Sequence, residues 1–96
     1  MSRTVLFKFR LYIAGDTQNS LQALANLSAL CEVRLPNQHK IEVVDVLREP
    51  KRALADKVFM TPTLIRLTPS PVRRIVGTLA ETVRVLEALG LGTLTA

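Results

Sequence analysis

Hydrophobic and polar positions in this chain follow three successive periods. Residues 5–13, VLFKFRLYI, put Phe7, Phe9, Leu11 and Ile13 on one parity and Lys8, Arg10 and Tyr12 on the other. A period of two is that of a strand with one buried face, so a first strand is predicted here with Phe7 and Phe9 in the core. The glycine in AGD ends it, and Asp16 or Thr17 offers a helix cap. From about Gln18 to Arg34 the spacing lengthens: Leu21, Leu24, Leu27, Leu30 and Cys31 recur at intervals of three and four, forming one apolar helical stripe. Pro36 and Asn37 stop that helix. In IEVVDVL, residues 41–47, apolar side chains fall on both parities, which predicts a strand buried on both faces.

A strand, a helix and a strand in this order make a βαβ unit with a right-handed crossover and parallel strands. Beyond it, Pro50 suits the first turn of a short helix running through Ala53, Leu54 and Ala55 to about Val58. That helix lacks the length to stand without packing. TLIRL and VRRIVG read as two strands joined by TPSP, a bridge short enough to make them antiparallel neighbours. From Ala80 to Leu89 a last helix places Leu79, Val83, Leu86 and Leu89 on one face, and Gly90 ends it. The order is βαβαββα, an α/β class, and it is the order of the thioredoxin fold. Thr61-Pro62-Thr63 stands just before the third strand, where thioredoxin-like proteins place a cis-proline.

Composition narrows the function classes. Ninety-six residues, 48% hydrophobic and 22% charged, predict one globular domain over 1–96. No run approaches the ~20 apolar residues of a membrane span. The N-terminal residues lead directly into a strand pattern and not a signal peptide, so a cytoplasmic location is expected. The net charge of +5 favours an acidic partner. Nucleic acid is not the expected partner, because Phe7 and Phe9 are assigned to the core and not to exposed base-stacking positions.

The residues of chemistry are sparse. Cys31 is the only cysteine and is read as a packing residue of the first helix; His39, the only histidine, is read as a solvated turn residue. Neither has the partners of a zinc site or a Cys-His nucleophile pair. Thioredoxin chemistry needs a low-pKa thiolate at the start of the first helix, and AGDTQNS, residues 14–20, holds none. Glu42 and Asp45 fall on opposite faces of the second strand and cannot act as an acid/base pair. Gly15, Gly77, Gly90 and Gly92 fit no phosphate loop. No catalytic residue, metal ligand or cofactor is expected, and the chain reads as a binding module.

One segment carries conflicting signals. FMTPTLIRLTPSPVRRIVG, from Phe59 to Gly77, places Pro62, Pro69 and Pro71 among strand-forming residues and ends in an arginine pair and a glycine. Within it TPTLIRLTPSPVRRIVG, residues 61–77, is the most specific of three ordered motifs, with LYIAGDTQNSLQAL and VVDVLREP, by which the chain resembles the KaiB family of the bacterial circadian clock, over about residues 5–90.

That resemblance implies a non-enzymatic regulator. Such proteins bind the N-terminal ATPase ring of KaiC, sequester KaiA, favour KaiC dephosphorylation and compete with the sensor domain of a clock-associated histidine kinase. It also implies fold switching: a resting homo-oligomer, tetramer or dimer, packed as βαββααβ, and a thioredoxin-like monomer that binds KaiC. The half common to both would run from about Thr4 to Leu47, and the rearranging half would start near Arg48. Two folds of one chain coexist when their free energies differ by a few kcal/mol. Residues Pro62, Pro69, Pro71, Gly77 and Thr78 are the expected switch region.

The resemblance assigns partner contact to Arg66, Arg73 and Arg74. As a strand pair, Arg73 and Arg74 point to opposite faces, and guanidinium groups suit carboxylates. This chain departs from the family at Thr78, where Gly-Asp is usual and Gly77-Thr78 stands here, and at Gln22, often basic. The acidic C-terminal tail of many members is absent from this sequence. The departures point to a divergent paralogue with a different KaiC, without KaiA, or in a stress or hourglass role. A module of a sensor-kinase pathway and a redox-inactive thioredoxin-like scaffold stay open.

Overall fold

The computed structural model describes residues 6–91. The elements are β1 (Phe7–Ile13), α1 (Gln18–Arg34), β2 (His39–Asp45), α2 (Pro50–Ala55), β3 (Thr63–Thr68), β4 (Arg73–Val76) and α3 (Thr82–Ala88). This is the βαβαββα order read from the sequence. The expected starts at Thr4 and Val5, and Gly92, lie outside the described residues.

The four strands form one sheet in the order β2-β1-β3-β4. β1 and β2 are parallel, from Phe7↔His39 to Ile13↔Asp45. β3 runs antiparallel to β1, and β4 antiparallel to β3. Helices cover both faces. On one, Phe9 and Leu11 of β1 and Leu64 of β3 meet Ala23, Leu27 and Cys31 of α1 and Val85 and Leu89 of α3. On the other, Tyr12, Val44 and Ile65 pack with Ala53 of α2 and with Val58.

Several positions differ from the sequence reading. Tyr12 lies on the parity opposite Phe9, as expected, yet it is fully buried because α2 covers that face. The buried row of α1 is Ser20, Ala23, Leu27 and Cys31, while Leu21 is 53% exposed. Ser20 tolerates its position because its Oγ accepts from the Ala14 N–H at 3.1 Å and from the Thr17 hydroxyl at 2.8 Å. Thr17 occupies the cap position, but its side chain makes no bond to the helix backbone. In α3, Val83 is 70% exposed and Val85 takes the buried place assigned to it.

β2 is an outer strand, not one buried on both faces: Val43 is exposed and Val44 is buried. His39 opens that strand and is not a solvated turn residue. Its Nδ1 lies 2.7 Å from the Leu35 carbonyl, a contact that requires the proton on Nδ1.

α2 ends at Ala55, earlier than predicted. Lys57 takes φ 56°, its N–H bonds the Leu54 carbonyl, and the Val58 N–H bonds the Ala53 carbonyl. This is a Schellman ending with lysine in the left-handed position that glycine usually fills. α3 ends the same way, with Gly90 at φ 74° and the Leu91 N–H on the Leu86 carbonyl.

Candidate partner-binding surface

The loop from Ala14 to Ser20, where a redox thioredoxin would carry its cysteines, is closed by hydroxyl and backbone bonds. Besides the Ser20 contacts, the Gly15 N–H bonds Asp45 Oδ1 at 3.1 Å. Cys31 sits in the core, where burial, reinforced by Glu32, pushes its thiol up to about 11. A thiol protonated at neutral pH is a poor nucleophile. Among the described residues no group of His, Cys, Asp and Glu is arranged to hold a metal ion, and no helix is long and apolar enough to cross a membrane.

The three arginines assigned to partner contact are separated by the fold. Arg73 and Arg74 are exposed on β4, opposite Arg66 and Ile65 of β3. Alternation then sends Arg73 to the α1/α3 face and Arg74 to the α2 face. The Arg74 guanidinium donates to the carbonyls of Lys57, at 2.9 Å, and Asp56, pinning the end of α2 to the sheet edge. Among the described residues Arg73 has no carboxylate within salt-bridge distance.

Arg66 is 4% exposed, so in this arrangement it is an internal clamp and not a surface contact. Its guanidinium donates to the carbonyl of Leu89, at the end of α3, and to that of Pro71 at 2.7 Å. Cations suit helix C-termini, where carbonyls converge. Burial, and then the charge of Arg73, hold Arg66 below the ordinary arginine pKa. Gly90 makes room for it, since a Cβ there would lie 2.9 Å from Arg66 Nη1.

The expected switch residues surround this clamp. Thr61–Pro62, Thr68–Pro69 and Ser70–Pro71 are all cis, which includes the bond expected before β3. Gly77 has φ 123°, and its N–H bonds the Pro62 carbonyl at 3.0 Å, closing the β3–β4 ladder. The Thr78 carbonyl accepts from Asn26 Nδ2 at 2.8 Å, tying the loop after β4 to α1. Leu79 is buried in the left-handed region at φ 65°, a strained conformation for a branched side chain.

Sequence reasoning missed a polar network on the α2 face. Arg10 donates to Glu42 at 2.8 Å and to Asp56 at 3.0 Å, and Arg52 reaches Glu42 at 2.8 Å. The Tyr12 hydroxyl lies against Asp56 Oδ2 and 3.1 Å from the Arg52 carbonyl. The Tyr12 hydrogen bond, followed by Arg10, lowers the Asp56 pKa despite desolvation, and Arg10 and Arg52 lower that of Glu42. Burial, reinforced by Asp56, pushes the Tyr12 phenol up to about 12. No local spacing announces these groups, since each pair joins different elements.

Fold and site thus define a thioredoxin-like domain whose redox position carries hydroxyls and whose outer strand presents arginines. The same arrangement occurs in the N-terminal domain of Synechococcus elongatus SasA, with a TM-score of 0.74 over 100% of this chain and 94% of that one at 12% identity. Chloroplastic thioredoxin z follows it with a TM-score of 0.71 over 96% and 99%, at 16% identity. At these identities the likeness concerns the fold.

Sequence likeness is more specific. The KaiB domain family model matches residues 10–91. The circadian clock protein KaiB3 of Synechocystis sp. is 43% identical over 91 residues, covering 95% of this chain and 86% of that protein. The circadian clock oscillator protein KaiB of Synechococcus elongatus is 42% identical over the same span, 95% and 89%. The chain belongs to the KaiB family.

Proposed function

We propose that this protein is a non-enzymatic clock or timer regulator that binds the N-terminal ATPase ring of a KaiC-type ATPase in the cytoplasm. The observation carrying this reading is the family match over residues 10–91 on a fold whose outer strand displays an arginine pair. Through that contact the protein sequesters KaiA where a KaiA exists and favours KaiC dephosphorylation. The arrangement shared with the SasA N-terminal domain fits competition with a histidine-kinase sensor domain for one site. The thioredoxin-like arrangement is the binding state, and a homo-oligomer with a repacked C-terminal half is the resting state. The Gly77-Thr78 departure also suits a stress or hourglass timer without a full oscillator. In that reading the partner class is unchanged.

Calorimetry against the cognate KaiC ring tests the reading. Arg73→Glu with Arg74→Glu is expected to abolish binding while the far-UV circular dichroism stays that of the parent. Unchanged affinity in the double variant would contradict it.

A further inference from the structure

β4 is the last strand of the sheet, and no described strand pairs with its outer edge. The direction of its backbone groups follows from one bond. The Gly77 N–H donates to the Pro62 carbonyl, so Pro62 and Gly77 face each other as a hydrogen-bonded pair. Antiparallel ladders alternate bonded and non-bonded pairs. From the register Thr63↔Val76, Leu64↔Ile75, Ile65↔Arg74 and Arg66↔Arg73, the bonded pairs involve Ile75 and Arg73. Arg74 and Val76 belong to non-bonded pairs. Their N–H and C=O groups point away from β3, to the open side of the sheet.

The edge is accessible as well as unpaired. Arg73 and Arg74 are exposed, and Val72 and Val76 are 61% and 48% exposed. An open edge with apolar side chains is a template for another strand. Its charge selects which one. A second copy of β4 laid on this edge would set arginines beside arginines, and like charges across a strand pair are destabilising. A segment with carboxylates opposite Arg73 and Arg74 gains two charge-assisted pairs on opposite faces. Arg74 spends two of its donors on the Lys57 and Asp56 carbonyls and keeps three.

We infer that the outer edge of β4 accepts an extended acidic segment of the partner protein as a fifth strand. The segment bonds the outward N–H and C=O groups of Arg74 and Val76. It carries two consecutive carboxylates at Arg73 and Arg74, flanked by apolar residues at Val72 and Val76. This rests on the reading that the partner is a KaiC-type ATPase, and adds how the partner is held: by main-chain pairing, with the arginines setting specificity and excluding the pairing of two copies of this edge.

The test follows amide exchange in the chain bound to the N-terminal ring of the cognate KaiC, where the thioredoxin-like arrangement is present. The amides of Arg73, Ile75 and Gly77, held by the β3–β4 ladder, serve as the internal reference. Those of Arg74 and Val76, which face away from β3, are expected to be protected to within about tenfold of that reference when the edge is paired. Val76→Pro removes only an outward N–H, a position where an edge strand tolerates proline, and is expected to weaken binding about tenfold or more. Binding in which Arg74 and Val76 exchange about a hundredfold or more faster than Arg73 and Ile75 overturns strand addition while the functional reading stands. A parent chain that does not bind the ring overturns both.

Discussion

The two halves of this chain share their apolar core and differ in the length of the elements that build it. From β1 through β2, a helix of 17 residues lays a buried row of Ser20, Ala23, Leu27 and Cys31 on Phe9 and Leu11, beside seven consecutive parallel pairings. From α2 onward, helices of six and seven residues flank strands of six and four. Helices that short do not persist without tertiary contacts. These elements pack on the first half through Ala53, Val58, Leu64, Ile65, Val85 and Leu89, and polar tethers fix their placement: Tyr12 and Arg10 on Asp56, and Asn26 on Thr78. Arg66 adds a tether within the second half. The first half is the platform, with the long helix and the parallel strand pair on which the second half packs. The second keeps its arrangement while it is docked on that platform and tethered to it, a property suited to a segment that changes packing.

The largest test of this comparison strikes the platform. Leu27 is fully buried, and Leu27→Ala should cost about 2–5 kcal/mol. Urea unfolding followed at probes in both halves should show both lowered together. A loss confined to the first half would mean that the second stands without it.

Tyr12→Phe cuts one tether. It removes the hydrogen bond to Asp56 and should cost about 1.5–3 kcal/mol. Faster amide exchange is expected across α2, with that of α1 unchanged. The same variant separates the two limbs of a stability–pH profile. The Tyr12 pKa is raised from 10.0 to about 12, so its contribution is complete below pH 10 and is lost as pH climbs toward 12. Asp56 and Glu42 are lowered from 3.8 and 4.5, so theirs is complete above those values and lost as pH falls through them. Tyr12→Phe should remove the alkaline limb and weaken the Asp56 share of the acid limb, while the Glu42 share, held by Arg10 and Arg52, remains. An unchanged alkaline limb would remove Tyr12 from the network.

The smallest effect concerns the end of α2. Lys57 sits at φ 56°, where glycine bears no Cβ penalty. Lys57→Gly should raise stability by about 1 kcal/mol or less, measured by thermal unfolding. A loss would mean that the lysine side chain contributes more than the backbone strain costs.

The same division decides what the sequence makes legible. Element order follows from periodicity, and the parallel and antiparallel pairings follow from connection length. Tyr12 was assigned to the correct face but not to the interior, because strand alternation does not say whether a helix covers the second face. Ser20 hid in the buried row of α1 because its polarity masks a position three residues before Ala23. Arg66 did leave a signal: it shares parity with Leu64, and a charge on the inner face of a strand calls for buried acceptors. Glu42, Arg52 and Asp56 left none, since they meet only when α2 docks on β1 and β2.

If the proposed function holds, the second half takes this arrangement to meet its partner. Solution mass and cross-strand NMR contacts, with and without the cognate KaiC ring, test it most directly. The chain is expected to bind as a monomer, with contacts Leu64 to Ile75 and Arg10 to Ile65 present in the complex. The chain alone is expected to form a larger assembly that lacks the Leu64–Ile75 contact. The same mass and sheet contacts in both samples would contradict it.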